Sequence, residues 1–158
     1  PSRTWSFIIP DSVNPWVHLS LPQQWTHAHE VRSLLAQIAP EDSVSTTDNL
    51  LPHASGRRAI LRFPYLEFRN DAGVAQFVDV ILVDFWQLQQ YQAAFSGSRE
   101  RLQTWMPLIQ SLLDEQRYGL VATQPGVFLL RQGVPSDPAA LDVWQAFKTE
   151  VATEIHSG

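Results

Sequence analysis

Between residues 22 and 38 the apolar positions Trp25, Ala28, Val31, Leu34, Leu35 and Ile38 recur at spacings of three and four. That spacing predicts one helical face, with Glu30 and Arg32 outside it. Ala39-Pro40-Glu41-Asp42 stops the helix, and 43–46 reads as a brief strand. Residues 58–63 predict a second strand, and 64–74 a loop turning at Asn70-Asp71-Ala72-Gly73. The clearest strand is Phe77-Val78-Asp79-Val80-Ile81-Leu82-Val83-Asp84, whose nearly continuous apolar run suits a central strand covered on both faces. Helical spacing returns over 86–95 and breaks at Ser96-Gly97-Ser98. It resumes over 99–116 with Leu102, Trp105, Met106, Ile109, Leu112 and Leu113 on one face. Residues 118–123 and 127–131 flank Gln124-Pro125-Gly126 as a β-hairpin. A last helix over 139–155 carries Leu141, Trp144, Phe147 and Val151.

Strands linked by helical crossovers and followed by a hairpin predict an α/β three-layer sandwich. Its sheet is expected to be mixed and mostly parallel, of about five strands with a C-terminal β-hairpin, in a Rossmann-like or flavodoxin-like form. Residues 1–22, with TWSFII and WVHLSL separated by turn chemistry, read as an N-terminal arm or edge strands. Residues 23–158 read as one domain, a length that buries roughly 70% of the unfolded surface.

Composition narrows the function. A net charge of −5 and a single lysine, Lys148, leave no basic face for nucleic acid. Zero cysteines exclude disulfides, thiolate zinc sites and thiol catalysis. The longest apolar run is far short of the roughly 20 residues that span a bilayer. The chain opens on Pro1 rather than Met, which reads as a piece of a larger protein. No G-x-G-x-x-G, no G-x-x-x-x-G-K-[ST] and no G-x-S-x-G occurs, and no cofactor is expected. Trp5 and Trp16 stand out as an aromatic arm suited to a membrane or a partner domain.

The densest polar chemistry lies at 43–64, SVSTTDNLLPHASGRRAILRFP. Ser45, Thr46, Thr47 and Asp48 offer oxygens that can cap a helical turn, which Gly56 would end. Asp48, His53 and Arg57 bring a carboxylate, an imidazole and a guanidinium to a strand's carboxyl edge, where α/β proteins build sites. The competing reading is structural: Asp48 caps the turn, His53 bonds a backbone carbonyl and Arg57 pairs with Asp48 or Glu67. Asp84, ending the central strand, is either a functional acid or, as the favoured reading, the cap of the next helix. Asp79 is expected near the strand's start, facing solvent or an arginine. His27 and His29 point about 200° apart on a helix and cannot share an ion, so no metal site is expected.

The run DSVSTTDNLLPHASGR (42–57), the following strand with Phe63-Pro64, and VDVILVD (78–84) together resemble a bacterial, cyanobacterial-type family of uncharacterised multi-pass membrane proteins. That family is distantly related to the GT-C lipid-linked-sugar glycosyltransferases. Pro40, Val44, Ser45, Leu51, Pro52, His53, Arg57, Phe63 and Pro64 stand on its motif, and His27 resembles a recurrent histidine ahead of it. Ala54 and Gly56 depart from it, standing where bulkier residues are common. The resemblance implies an extracytoplasmic, periplasmic accessory domain, non-catalytic in isolation, attached to a membrane part that is the candidate glycosyltransferase. Its implied partners are that transmembrane domain and a lipid-linked sugar or phosphate. The alternative is a free-standing α/β domain, ligand-binding or enzymatic, with a pocket at the strand carboxyl edge.

Overall fold

The computed structural model describes residues 21–47, 50, 59–92 and 95–157. In chain order these form α1 (Leu21–Leu35), β1 (Val44–Thr46), β2 (Ile60–Arg62), β3 (Glu67–Arg69), β4 (Ala75–Phe77) and β5 (Val80–Asp84). Then follow α2 (Trp86–Tyr91), α3 (Ser96–Asp114), β6 (Tyr118–Gln124), β7 (Val127–Gln132) and α4 (Pro138–Ser157). The main sheet has five strands in the order β2-β1-β5-β7-β6. β1 is parallel to both β2 and β5, whereas β7 is antiparallel to β5 and to β6. This is the mixed α/β sandwich with a C-terminal hairpin that the pattern predicts.

The period-two alternation of β5 sorts the two faces. Val80 and Leu82 join Val31, Leu34, Leu35, Ile38, Val44, Val127 and Leu129 under α1. Ile81 and Val83 join Leu120, Phe128 and Leu130 beneath α3 and α4, which contribute Leu102, Met106, Ile109, Trp144, Phe147 and Val151. All five residues of β5 are buried, so each of its apolar side chains contributes on the order of 1.5–3 kcal/mol of burial. A register shift between Leu120 and Ala122 lets β6 serve both layers: Leu120 belongs to the α3–α4 core, while Val121 and Ala122 pack on the α1 side.

Several expectations are corrected. Trp25 does not belong to the buried face of α1; it is 71% exposed, and His27 takes the place in the stripe. The stretch 64–74 is not a plain loop, because β3 and β4 pair as an antiparallel hairpin there, with Phe77 closing β4 rather than opening the central strand. That hairpin, not a helix, fills the connection from β2 to β5. Ser96, Gly97 and Ser98 open α3 instead of interrupting a helix. Ser45 and Thr46 lie within β1, as the strand predicted over 43–46 requires, and so are not available to cap a helix. Asp79 stands near the start of the strand and is half-buried, and its Oδ2 also accepts from the Ser43 amide at 3.0 Å and the Ser43 hydroxyl at 3.1 Å, tying β5 to β1 at the amino edge. Of the proposed arm, residues 1–20 lie outside the described residues, and Leu21 begins α1.

Candidate functional site at the carboxyl edge of β1 and β5

β1 and β5 run side by side in the same direction, so both end at one edge of the sheet. From β1 the chain goes on to β2 on one side, and from β5 it goes by way of α2, α3 and β6 to β7 on the other. Strand order therefore diverges between them, the place where open α/β sheets leave a crevice for ligands.

Asp84 continues the parity of Val80 and Leu82, and so its carboxylate turns toward α1 rather than toward α3 and α4. Its Oδ2 stands 2.6 Å from Nε2 of His27, across 57 residues of chain. Its Oδ1 accepts the Trp86 amide at 3.0 Å, and its own amide donates to the Thr47 hydroxyl at 3.2 Å. Phe85 occupies the N-cap position of α2 and no side chain caps the helix there; Asp84, one residue ahead, accepts the first amide of α2, and the same carboxylate serves His27. The carboxylate side chain has no exposed area, and a hydrogen bond of this charge-assisted kind contributes on the order of 1.5–3 kcal/mol.

Two more elements fix the imidazole. The Trp86 indole stacks on it at 4.2 Å between ring centroids and 19° between planes. The hairpin loop between β6 and β7 holds the start of α2, since the Gly126 carbonyl accepts the Phe85 amide at 2.8 Å. An ionised carboxylate only accepts, so Nε2 carries a proton directed at Asp84. Nδ1 is buried and, among the described residues, has no hydrogen-bond partner. Oε2 of Glu30 is 4.0 Å away, too far for a hydrogen bond. Beside the pair lies a cavity of about 210 Å3, walled by Gln24, His27, Arg32, Leu50, Asp84, Trp86 and Gln87 among others.

Of the residues singled out in the sequence, Asp84 lies at the centre of this site. Asp48, His53 and Arg57 lie outside the described residues, although Thr47 and Leu50, beside and between them in the chain, flank the site. His29 is exposed and apart from His27, as the helical spacing requires. Among the described residues no group of three or more His, Asp or Glu can hold a metal ion. Trp86 was not anticipated. The pairing of His27 with Asp84 was legible only as a coincidence of two periods. His27, Val31, Leu34, Leu35 and Ile38 make a better stripe than one through Trp25, and Asp84 shares the parity of Val80 and Leu82.

The family model of DUF2079, described as a predicted membrane protein, matches residues 1–129. This chain belongs to that family. The match takes in His27, Asp84, Trp86 and Gly126 and ends within β7, so α4 lies beyond it. No curated protein and no solved structure matches the chain. Among the described residues no helix is long and apolar enough to cross a membrane. Membership thus bears out the membrane-protein resemblance and gives the chain a membrane association at the level of the family.

Proposed function

We propose that this chain is a non-catalytic, extracytoplasmic accessory domain of a GT-C-like multi-pass membrane protein, recognising or docking substrate for lipid-linked sugar transfer. The observation that carries this reading is the buried His27–Asp84 pair opening onto a cavity at the divergent edge of the sheet, in a member of a predicted membrane protein family. Such a pair is costly to bury unless its geometry is held for a purpose or very well compensated, and sites are where it is commonly found. In this reading Asp48, His53, Arg57 and Asp84 act on an acceptor, a lipid phosphate or the protein's own membrane domain. The cavity also favours a second reading, a free-standing ligand-binding or enzymatic α/β domain.

The upstream reading frame separates the two, since transmembrane helices before Pro1 are required by the first and not by the second. The first is then tested in the full-length protein in membranes, assayed for transfer from a polyprenyl-phosphate sugar. Asp84→Asn and the double substitution His53→Ala, Arg57→Ala should each lower transfer at least fivefold at matched folded protein. Unchanged transfer accompanied only by a lower Tm overturns the reading and makes these residues organisers of the fold.

A further inference from the structure

We infer that the groove between α3 and α4 takes a single unbranched alkyl chain whose anionic head pairs with Lys148. The groove lies on the opposite face of the sheet from His27 and Asp84, so it is independent of the accessory role. Its α4 wall also lies beyond residues 1–129, which the family model matches. Shape is the first constraint. Leu102, Met106 and Pro107 of α3 and Val151, Ala152 and Ile155 of α4 wall a cavity of about 360 Å3. That volume falls within the ~300–1,000 Å3 of small-molecule sites. The walls run over residues 102–110 and 148–156, about 12 Å each at 1.5 Å of rise per residue. A stable protein partner needs roughly 20–30 residues a side, far more than two helical turns on each wall supply. An apolar trough of this length fits one alkyl chain laid along it.

Charge is the second constraint. The protein has a net charge of −5 and one lysine, and that lysine closes the end of the groove opposite Gln110. Nζ donates to Oε1 of Gln110 and lies 5.7 Å from the centre of the Trp144 ring, which leaves two of its three hydrogens for a ligand. Among the described residues no carboxylate pairs with Lys148, and none walls the groove. The Asp114 carboxylate accepts from Nε2 of Gln110 at 2.8 Å and stands outside the walls. The other titratable group on the wall, His156, directs Nδ1 at the Ala152 carbonyl at 2.6 Å. In a chain this acidic, an apolar trough ended by a cation complements an anionic amphiphile and disfavours a cationic one.

The test uses the 158-residue chain with its only methionine, Met106, carrying a 13C methyl, so that one resonance reports on the groove. Decyl phosphate below its micelle concentration should move that resonance with saturation. Octyl phosphate should bind about 16-fold more weakly, at about fourfold per methylene, and inorganic phosphate should not move it. Decyltrimethylammonium should bind at least tenfold more weakly than decyl phosphate. Lys148→Met keeps an apolar stem and removes the charge. It should retain a folded amide spectrum, lose at least tenfold in affinity for decyl phosphate and bind decanol as the unaltered chain does. Ala152→Phe, at an exposed helical position, should fill the trough and abolish the shift. Absence of saturable movement with decyl phosphate overturns the inference. Equal binding of the decyl cation does so as well, as does undiminished binding by either variant. Movement of the resonance with protein concentration alone makes a second copy of the chain the occupant and also overturns it. None of these outcomes bears on the full-length transfer assay, so the accessory reading is decided separately.

Discussion

A Cβ placed on Gly126 would stand 2.7 Å from the Cβ of Trp86 and 2.8 Å from its Cα. The hairpin loop and the first residue of α2 are therefore in backbone contact, and only glycine permits it. Gly126 also has φ of +72°, which L side chains rarely adopt. Gly126→Ala should cost about 1–3 kcal/mol in denaturant unfolding, because strain and clash act together and a main-chain neighbour cannot swing aside. Because Trp86 is the residue displaced, its stacking on His27 should loosen in the same variant. Retained stability and unaltered tryptophan fluorescence would show that the contact is slack.

Asp84→Asn and Asp84→Leu should differ sharply. Asparagine can still accept the Trp86 amide and can donate to Nε2, which forces the imidazole proton to Nδ1. The cost is about 1–2 kcal/mol for the lost charge-assisted bond. Leucine strands both the Trp86 amide and the buried imidazole, and the loss should reach about 3–5 kcal/mol. Chemical denaturation gives the energies. Imidazole 15N shifts report the tautomer, and an unchanged tautomer in Asp84→Asn contradicts the assignment of the proton to Nε2.

Tyr118 predicts an alkaline transition. Burial raises its phenol from 10.0 to about 12; the Arg117 charge pulls back against this and Asp79 adds to it. The hydroxyl donates to the Val78 carbonyl at 2.8 Å. Because the folded value lies above the unfolded one, the contribution is complete below pH 10 and is lost as pH rises from 10 toward about 12. The loss should be on the order of 2 kcal/mol. In Tyr118→Phe that pH dependence should vanish, at a cost near neutral pH of about 1–3 kcal/mol for the stranded Val78 carbonyl. An equal alkaline loss in both proteins would assign the transition to other groups.

Trp25 and Trp144 form a contrasting pair. Trp25 is 71% exposed, so Trp25→Ser should change unfolding free energy by no more than about 0.5 kcal/mol. Trp144 is fully buried, meets Phe128 edge-on at 4.9 Å and donates to Gln110 at 2.9 Å. Trp144→Ala should cost about 3–5 kcal/mol, read from the shift in denaturation midpoint at constant m.

That contrast also marks what the sequence could tell. Long amphipathic elements were legible because burial repeats along them: Leu102, Met106, Ile109 and Leu112 keep helical spacing through α3, and Trp144, Phe147 and Val151 do so in α4. Gln124-Pro125-Gly126 announced its hairpin through turn chemistry. Short elements were not. Phe77 and Val80 lie in one apolar run, yet they belong to different strands of different sheets, a division set by tertiary pairing. Trp25 misled because hydrophobicity outranks a histidine in any periodicity count, whereas a histidine with a buried carboxylate partner is the better core residue here. Asp84 was found by its place at a strand's end. Its partner could not be, because neither α1 nor β5 alone records that they face each other. His53 and Arg57, the residues most conspicuous in the sequence, lie outside the described residues.

The two ends of α1 are held by unlike means. Toward its carboxyl end Leu34 and Leu35, with Ile38 just beyond, seat it on the sheet by shape and apolar contact, whereas its amino-terminal turns reach the sheet edge through His27 and Asp84. The helix has an apolar anchor at one end and a polar latch nearer the other. Removing the latch should loosen amide exchange only in the first turns, while truncating Leu34 should loosen the far end and leave the His27–Asp84 bond closed. The two attachments of α1 should therefore fail independently, and amide exchange resolves them.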